Sequence, residues 1–383
     1  MKNICDYKDC TGCGLCIAVC SKNAISFQKG DLGHLYPKID YSKCIDCGLC
    51  YKRCPSNKMP NISFPLKAYA AFAKDEQEYK TSTSGGAAAV FSNYIIEQGG
   101  AVYGCAVNNI DSRTLDIKHI RVTSNEDLIK LKGSKYVQSR ITEILPLLKD
   151  DVKSGKKVLF IGTPCQVVAV KNLFPKTPDN LYLIDIICHG VPSLDLLQKH
   201  IRNKIGDSPI DYIRFRDNKQ LVLELLHQKK KLYKSNLFEE RYKDEYYNAF
   251  MDGFTYRASC HNCHYACNSR SSDITIGDFW GLGKSLDASM IKEHKEGISL
   301  LLPITTKGLK LINIISAHIY LYEREINEAI DGNDQLRRPK KINGRIRLFK
   351  ILSKVLPFNL AYKTSILDLY LKKFVRKHIL RRR

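Results

Sequence analysis

Eight cysteines fall into two runs of one pattern. They are Cys10-x2-Cys13-x2-Cys16-x3-Cys20 and Cys44-x2-Cys47-x2-Cys50-x3-Cys54, the second closed by Pro55. Three cysteines spaced by two residues let a tight turn aim three thiolates at the corners of a cubane, while the fourth crosses to a second cubane. The spacing therefore assigns Cys10, Cys13, Cys16 and Cys54 to one 4Fe-4S cluster, and Cys44, Cys47, Cys50 and Cys20 to another. Gly12, Gly14 and Gly48 leave room for backbone amides to approach the sulfurs. Ser21 stands where the bacterial run carries proline, which leaves the ligand set intact. A pair of zinc sites is the alternative, but zinc frameworks rarely duplicate this pattern.

A second set of cysteines lies far along the chain. Cys165 sits in GTPCQ, directly after the apolar run KKVLFIG, and Cys188 ends the run LYLIDIIC. Both are expected at the carboxyl ends of consecutive parallel strands, about 5 Å apart if those strands are neighbours. Open α/β sheets bind ligands at that edge. Cys260-x2-Cys263-x3-Cys267 supplies further thiols. Cys165, Cys188, Cys260 and Cys263 are the candidate ligands of a third 4Fe-4S cluster, with Cys267 in reserve. Zinc held by Cys260, Cys263, His261 and His264 stays open, as does simple packing of small buried cysteines. Cys5 and Cys105 receive no role.

The elements that must position these groups follow from pattern. Fifteen cysteines in a 383-residue chain, clustered at short spacings, read as metal ligation in a reducing compartment and not as a disulfide framework. There is no apolar signal core at the N-terminus, and no run approaches the ~18 apolar residues of a membrane span. A cytoplasmic protein is expected, with peripheral contact at the inner membrane surface left open by its tail. Residues 59–67, with two prolines, look like a linker. Strands are expected at 68–73, 101–107, 119–123, 156–162, 181–188 and 211–217, and helices within 84–100, 166–174 and 194–205. This alternation predicts an α/β fold with parallel strands, α+β overall. The expected organisation is a ferredoxin-like 2x(4Fe-4S) domain over 1–60, a larger α/β flavin-binding domain over 66–335 and a basic amphipathic helical tail over 336–383.

The formal net charge is +22, and the segment from Arg337 to Arg383 holds 16 Lys/Arg against one Asp. Leu367, Tyr370, Leu371, Phe374 and Val375 share roughly one helical face there. The tail either packs on the body or touches an anionic membrane surface. No nucleic acid partner is expected, because no aromatic–basic interleaving marks a base-stacking face.

Six ordered motifs carry a resemblance. SGG near 84–86, GSKYVQS (133–139), GTPCQVVAV (162–170), DIICHGVPS (185–193), RFRDN (214–218) and SDITIGDFWG (272–281) resemble the coenzyme F420 hydrogenase/dehydrogenase beta-subunit family, with the ferredoxin unit fused in front. The resemblance implies an oxidoreductase that binds FAD beside an iron–sulfur centre. It implies coenzyme F420, a deazaflavin, or another small molecule as substrate, and a role in surface-polysaccharide biosynthesis for bacterial relatives of this layout. Ferredoxin or another redox protein is the expected partner. A non-catalytic subunit that feeds electrons to a partner enzyme is the alternative.

Several residues are compatible with a flavin on their own terms. Ser84, Gly85 and Gly86 open a helix, and a helix N-terminus suits a pyrophosphate. Lys132, Gly133, Ser134, Lys135 and Tyr136 offer phosphate contacts or a stacking ring, or form an ordinary basic loop. Thr163 and Pro164 lie at the sheet edge, where they also read as N-cap and first helical residue. Arg214 and Arg216 alternate with Phe215 and are expected to face one way, towards an acidic substrate or solvent. Asp273, Asp278 and Trp280 follow the cysteine loop as turn, core or site residues. No Walker loop, Ser-His-Asp set or GxGxxG fingerprint is present.

Overall fold

The computed structural model describes residues 3–110, 114–217, 220–239, 243–284 and 286–371. The chain opens with the short helix α1 (Leu15–Ala18), a hairpin of β1 (Ile25–Lys29) and β2 (Leu35–Ile39), and helix α2 (Leu49–Arg53). Both helices begin directly after a left-handed glycine, Gly14 and Gly48. A two-fold repeat of cysteine run, short helix and hairpin strand is thus visible.

The main body follows: β3 (Ala68–Ala73), α3 (Glu76–Thr81), α4 (Ala87–Glu97), β4 (Ala101–Ile110), β5 (Leu115–Val122), α5 (Ile144–Lys153), β6 (Val158–Gly162), α6 (Pro164–Leu173), β7 (Leu181–Ile186) and α7 (Leu194–Ile205). Next come β8 (Tyr212–Asp217), β9 (Gln220–His227), β10 (Lys230–Asn236), α8 (Glu245–Met251), β11 (Ile274–Asp278), β12 (Ser299–Pro303), α9 (Thr306–Ile314), β13 (Ile319–Arg324) and α10 (Ile326–Gly332). Helices α11 (Gly344–Leu352) and α12 (Phe358–Ser365) lie in the tail.

The central sheet has the order β13-β3-β12-β11-β7-β6-β4-β5. Strands β4, β6, β7 and β11 run parallel, and β3 shares their direction through two antiparallel steps across β12. Strands β5, β12 and β13 run the other way. The sheet is therefore mixed, where alternation alone predicts parallel strands. Strand β8 does not join it at all. It forms a separate antiparallel sheet in the order β10-β9-β8, because hairpin neighbours satisfy its backbone.

Both faces of the central strands are covered. Leu159 faces Phe91 and Ile95 of α4 and Leu311 of α9, whereas Val158 and Phe160 face Leu148 of α5 and Val167 of α6. A strand buried on both sides must be apolar throughout, which is why VLFIG and LYLI carry no alternation. Leu15, fully buried, leaves α1 and enters the second of these cores.

Residues 59–67 are not a free linker. Ser63 pairs with Arg270 through both backbone bonds (2.8 and 2.9 Å), and Leu66 N–H donates to the Pro303 carbonyl at 2.8 Å. The described part of the tail also packs down. Ile346, Phe349, Ala361, Tyr362 and Ile366 form one buried cluster with Ala249 and Phe254, and Lys363 pairs with Glu245 at 3.0 Å. Leu367 and Leu371 stay exposed. Phe374, Val375 and the rest of 372–383 lie outside the described residues. Among the described residues no helix is long and apolar enough to cross a membrane.

Candidate functional site

Two cavities collect most of the cysteines. The first, about 330 Å³, is lined by Cys10, Cys13, Cys16 and Cys54, the four residues that spacing assigns to one cluster, together with Cys5. Its backbone is held open by positive φ at Gly12 (68°) and Gly14 (75°), a region where a side chain is strained. Burial pushes the Cys13 thiol up to about 12. Hydrogen bonding from Cys5 brings Cys10 down to about 6, against burial, with the Arg257 charge adding to the effect.

The partner quartet lies closer to the surface. Cys47 is exposed, and Cys20, Cys44 and Cys50 are half-buried. Around Cys47 stand the exposed side chains of Tyr41, Ile45, Leu49 and Tyr51.

The second cavity, about 780 Å³, is lined by Cys165, Cys188, Cys260 and Cys263. Thr163, Pro164 and His189 share it, as do Asp9, Thr11 and Ser56 from the N-terminal segment and Gln335 and Pro339 from the far side. The reason is topological. Strands β6 and β7 are neighbours in parallel register, so both cysteine-bearing ends open on one edge, beside β11, which follows the Cys260 loop. Burial pushes the Cys188 and Cys260 thiols up to about 12 and raises Cys165 as well. Thiolates in such a place require a positively charged partner. Cys267 does not line the cavity; its thiol faces the carbonyls of Ser269 (3.1 Å) and His264 (3.5 Å).

The two cavities adjoin. Thr11 lines both. The buried Tyr265 feels Cys13 and Cys54 on one side and Cys165 and Cys263 on the other. Gln138 donates to the Thr11 carbonyl at 2.9 Å, and Asn172 at the end of α6 grips the carbonyls of Arg53 (3.2 Å) and Lys58 (3.0 Å).

A buried polar chain positions Cys165. His119 Nε2 donates to the Ile161 carbonyl (2.9 Å), so Nδ1 is the acceptor for the Ser139 hydroxyl (3.1 Å). Gln166 donates to Ser139 Oγ (3.1 Å) and its carbonyl O, and accepts from Thr163 N–H (3.0 Å) and Oγ (3.1 Å). Thr163 Oγ then lies 3.3 Å from Cys165 Sγ. Thr163 and Pro164 thus start α6 as an N-cap and first helical residue, and also line the cavity.

The remaining flavin candidates are largely committed inside the fold. Ser84 Oγ donates to the Ile298 carbonyl (3.1 Å), and a Cβ on Gly85 would stand 2.2 Å from the Ala71 oxygen. Gly86, left-handed, caps α4 without a side-chain bond. Gly133 has φ 83° with open space around it. Lys135 turns onto its own loop, donating to the Leu131 and Lys132 carbonyls at 2.9 and 2.8 Å. Lys132 pairs with Glu78 at 2.7 Å. Tyr136 packs among Phe215, Tyr247 and Phe250, with Ser134 and Arg216 beside its hydroxyl. Arg214 and Arg216 do not present a joint anion site. A bulge falls between them, and they pair separately with Glu224 (2.5 Å) and Asp278 (2.5 Å). Asp273 is structural, binding Leu183 N–H (2.9 Å) and Thr305 (2.8 Å), while Trp280 is exposed.

Pattern reading missed Arg257, Gln138, Ser139, His119, Gln166 and Tyr265. Gln166 had a local signal, three residues after an N-cap threonine; the others act across more than twenty residues.

Comparison with known proteins agrees with this layout. Residues 9–58 match the 4Fe-4S dicluster domain, and residues 155–329 match the C terminus of the beta subunit in the family described as coenzyme F420 hydrogenase/dehydrogenase. An uncharacterized protein of Methanocaldococcus jannaschii is 30% identical over 207 residues, 46% of this chain and 56% of the relative, so the chain spans about half of that relative's length. A chain of the F420-reducing [NiFe] hydrogenase complex from Methanosarcina barkeri superposes with a TM-score of 0.48 at 18% identity, over 73% of this chain and 93% of that one. The chain is thus a member of the coenzyme F420 hydrogenase/dehydrogenase beta-subunit family that carries a 4Fe-4S dicluster domain at its N-terminus.

Proposed function

We propose that the chain is an electron-transfer oxidoreductase. It takes electrons singly from a redox partner at Cys47 and delivers them to a third iron–sulfur centre at the edge of the central sheet. The observation that carries this reading is the graded depth of three cysteine quartets: one at the surface, one buried, and one lining an adjoining cavity beneath the ends of β6 and β7.

The donor sets fit clusters. Zinc needs its sulfurs about 2.3 Å from one point, and among the described residues no three His, Cys, Asp or Glu side chains converge on a single ion. A cubane takes its thiolates at four separate corners. When bound, the clusters supply one-electron carriers. The chain's own residues do the rest. Gly12 and Gly14 admit the turn, Tyr265 and Thr11 fill the space between the cavities, and the His119–Ser139–Gln166–Thr163 chain fixes the Cys165 side of the deeper one.

The family suggests FAD beside the third centre and a deazaflavin or other small molecule as acceptor. The fit here is narrow. Of the candidates, Ser84, Gly85, Lys132, Lys135 and Tyr136 are spent on internal contacts, and the uncapped first turn of α4 is what remains for a phosphate. No step is therefore assigned to a flavin.

Anaerobic purification followed by iron, sulfide and flavin analysis tests the reading. About twelve irons are expected, falling to about eight in Cys188→Ser. About eight irons in the unaltered protein removes the third centre. Flavin released on denaturation supports FAD, and dye or deazaflavin reduction by the isolated chain separates an enzyme from a feeding subunit.

A further inference from the structure

Arg257 is the largest side chain in the protein with no exposed surface. It follows α8 and reaches out of the main body into the N-terminal cysteine segment. Its Nε donates to the Cys10 carbonyl at 2.6 Å, and Nη2 to the Leu35 carbonyl at 2.5 Å and towards Cys10 Sγ at 3.5 Å. Nη1 donates to Gln138 at 3.2 Å, and the guanidinium lies 4.1 Å from the Tyr36 ring centre. These neighbours are neutral or sulfur. Among the described residues no carboxylate forms an ion pair with it.

A buried guanidinium without a counter-charge is strongly unfavourable. Carbonyls satisfy its hydrogen bonds but not its charge. The one place nearby where negative charge gathers is the Cys10, Cys13, Cys16 and Cys54 quartet. Gly12 is shaped to this contact, since a Cβ there would stand 2.6 Å from the guanidinium carbon. The arginine backbone is also tied to the third quartet, because Cys260 N–H donates to the Arg257 carbonyl at 3.0 Å.

We propose that Arg257 is the resident counter-cation of the Cys10 centre and sets its reduction potential. The inference rests on the proposed electron-transfer reading. Four thiolates make the centre anionic, and one electron from a one-electron donor adds a further negative charge. A fixed positive charge beside Cys10 favours the reduced form. It makes the buried centre a better electron acceptor than the Cys47 centre, for which the structure shows no such buried arginine among the described residues. Arg257 is a tuning residue and touches no substrate.

The test is a redox titration of the full-length anaerobic protein, with dithionite as reductant and the cluster signals read by EPR. Arg257→Gln should lower one potential by about 59 mV or more, a tenfold loss in the one-electron equilibrium constant, with iron content unchanged. Arg257→Lys keeps the charge and should hold that potential within threefold of the parent. Unmoved potentials in Arg257→Gln with full iron would overturn the idea. So would a fall in Arg257→Lys as large as in Arg257→Gln. Should Arg257→Gln lose iron, the lysine variant decides alone: a tenfold fall there overturns the proposal, and retention within threefold supports it. A parent protein without clusters would instead sink the electron-transfer reading itself.

Discussion

Replacing Gly14 with alanine probes how the cluster-bearing segment is seated on the body. Gly14 lies at φ 75°, immediately before α1, and a Cβ there would stand 2.1 Å from Thr142 Oγ and 3.1 Å from the Phe27 ring. Two costs follow. The left-handed backbone costs an alanine about 1 kcal/mol, and the overlap with Thr142 adds about 1–3 kcal/mol of overpacking. The total is about 2–4 kcal/mol. The Thr142 hydroxyl has no hydrogen-bond partner among the described residues, so Thr142→Ala alone should change stability by less than about 1 kcal/mol. In the double variant the overlap with oxygen is gone, and the loss should shrink towards the backbone cost. The coupling should therefore be about 1–2 kcal/mol. Anaerobic urea unfolding, followed by cluster absorbance and far-UV circular dichroism, reads all four corners of the cycle. Strict additivity would refute the reasoning, because it would mean the added methyl never meets Thr142.

Other predictions follow from single features. His119 is buried, and desolvation lowers its pKa from 6.5 to about 4. A base depressed in the folded state contributes stability above pH 6.5 that is lost as pH falls towards 4, by up to about 3 kcal/mol. His119→Gln should flatten that slope in melts taken between pH 4 and 7; an unchanged slope would count against it. Phe349→Ala should cost about 3–5 kcal/mol, since the ring is fully buried against Phe254 and Phe358. A near-silent melt would show that the tail does not pack there in solution. Lys43→Glu with Lys52→Glu, beside the exposed rim of Cys47, should slow reduction by an acidic ferredoxin several-fold at low salt, with the difference fading at high ionic strength. Equal stopped-flow rates at low salt would place the docking face elsewhere.

The legible parts of this chain are those whose cause is local. The two cysteine runs carry their own turn geometry, so Cys10, Cys13, Cys16 and Cys54 group together without knowledge of the fold. Cys165 and Cys188 can be paired because consecutive βα units put their strand ends on one edge, and β6 and β7 do lie side by side. Local pattern says less about where a strand will find its partner. The strand at Tyr212–Asp217 has the right composition for the main sheet, yet it leaves with its own hairpin neighbours. Arg214 and Arg216 read as a pair by alternation, but a bulge and two acids from different elements divide them. Arg257 is invisible for the opposite reason. Nothing around it in sequence signals burial, and its contacts with Cys10 and Leu35 span more than two hundred residues.

The segment from Met59 to Lys67 has the composition of a hinge but is stitched to the body at Ser63 and Leu66, while Asn172 clasps the residues just before it. A domain on a tether shuttles charge by swinging, and its turnover slows when the solvent thickens. Here the cysteine-rich unit is bolted in place, so the gaps between the three centres are fixed by the fold. Any travelling must be done by the molecule that brings the electrons.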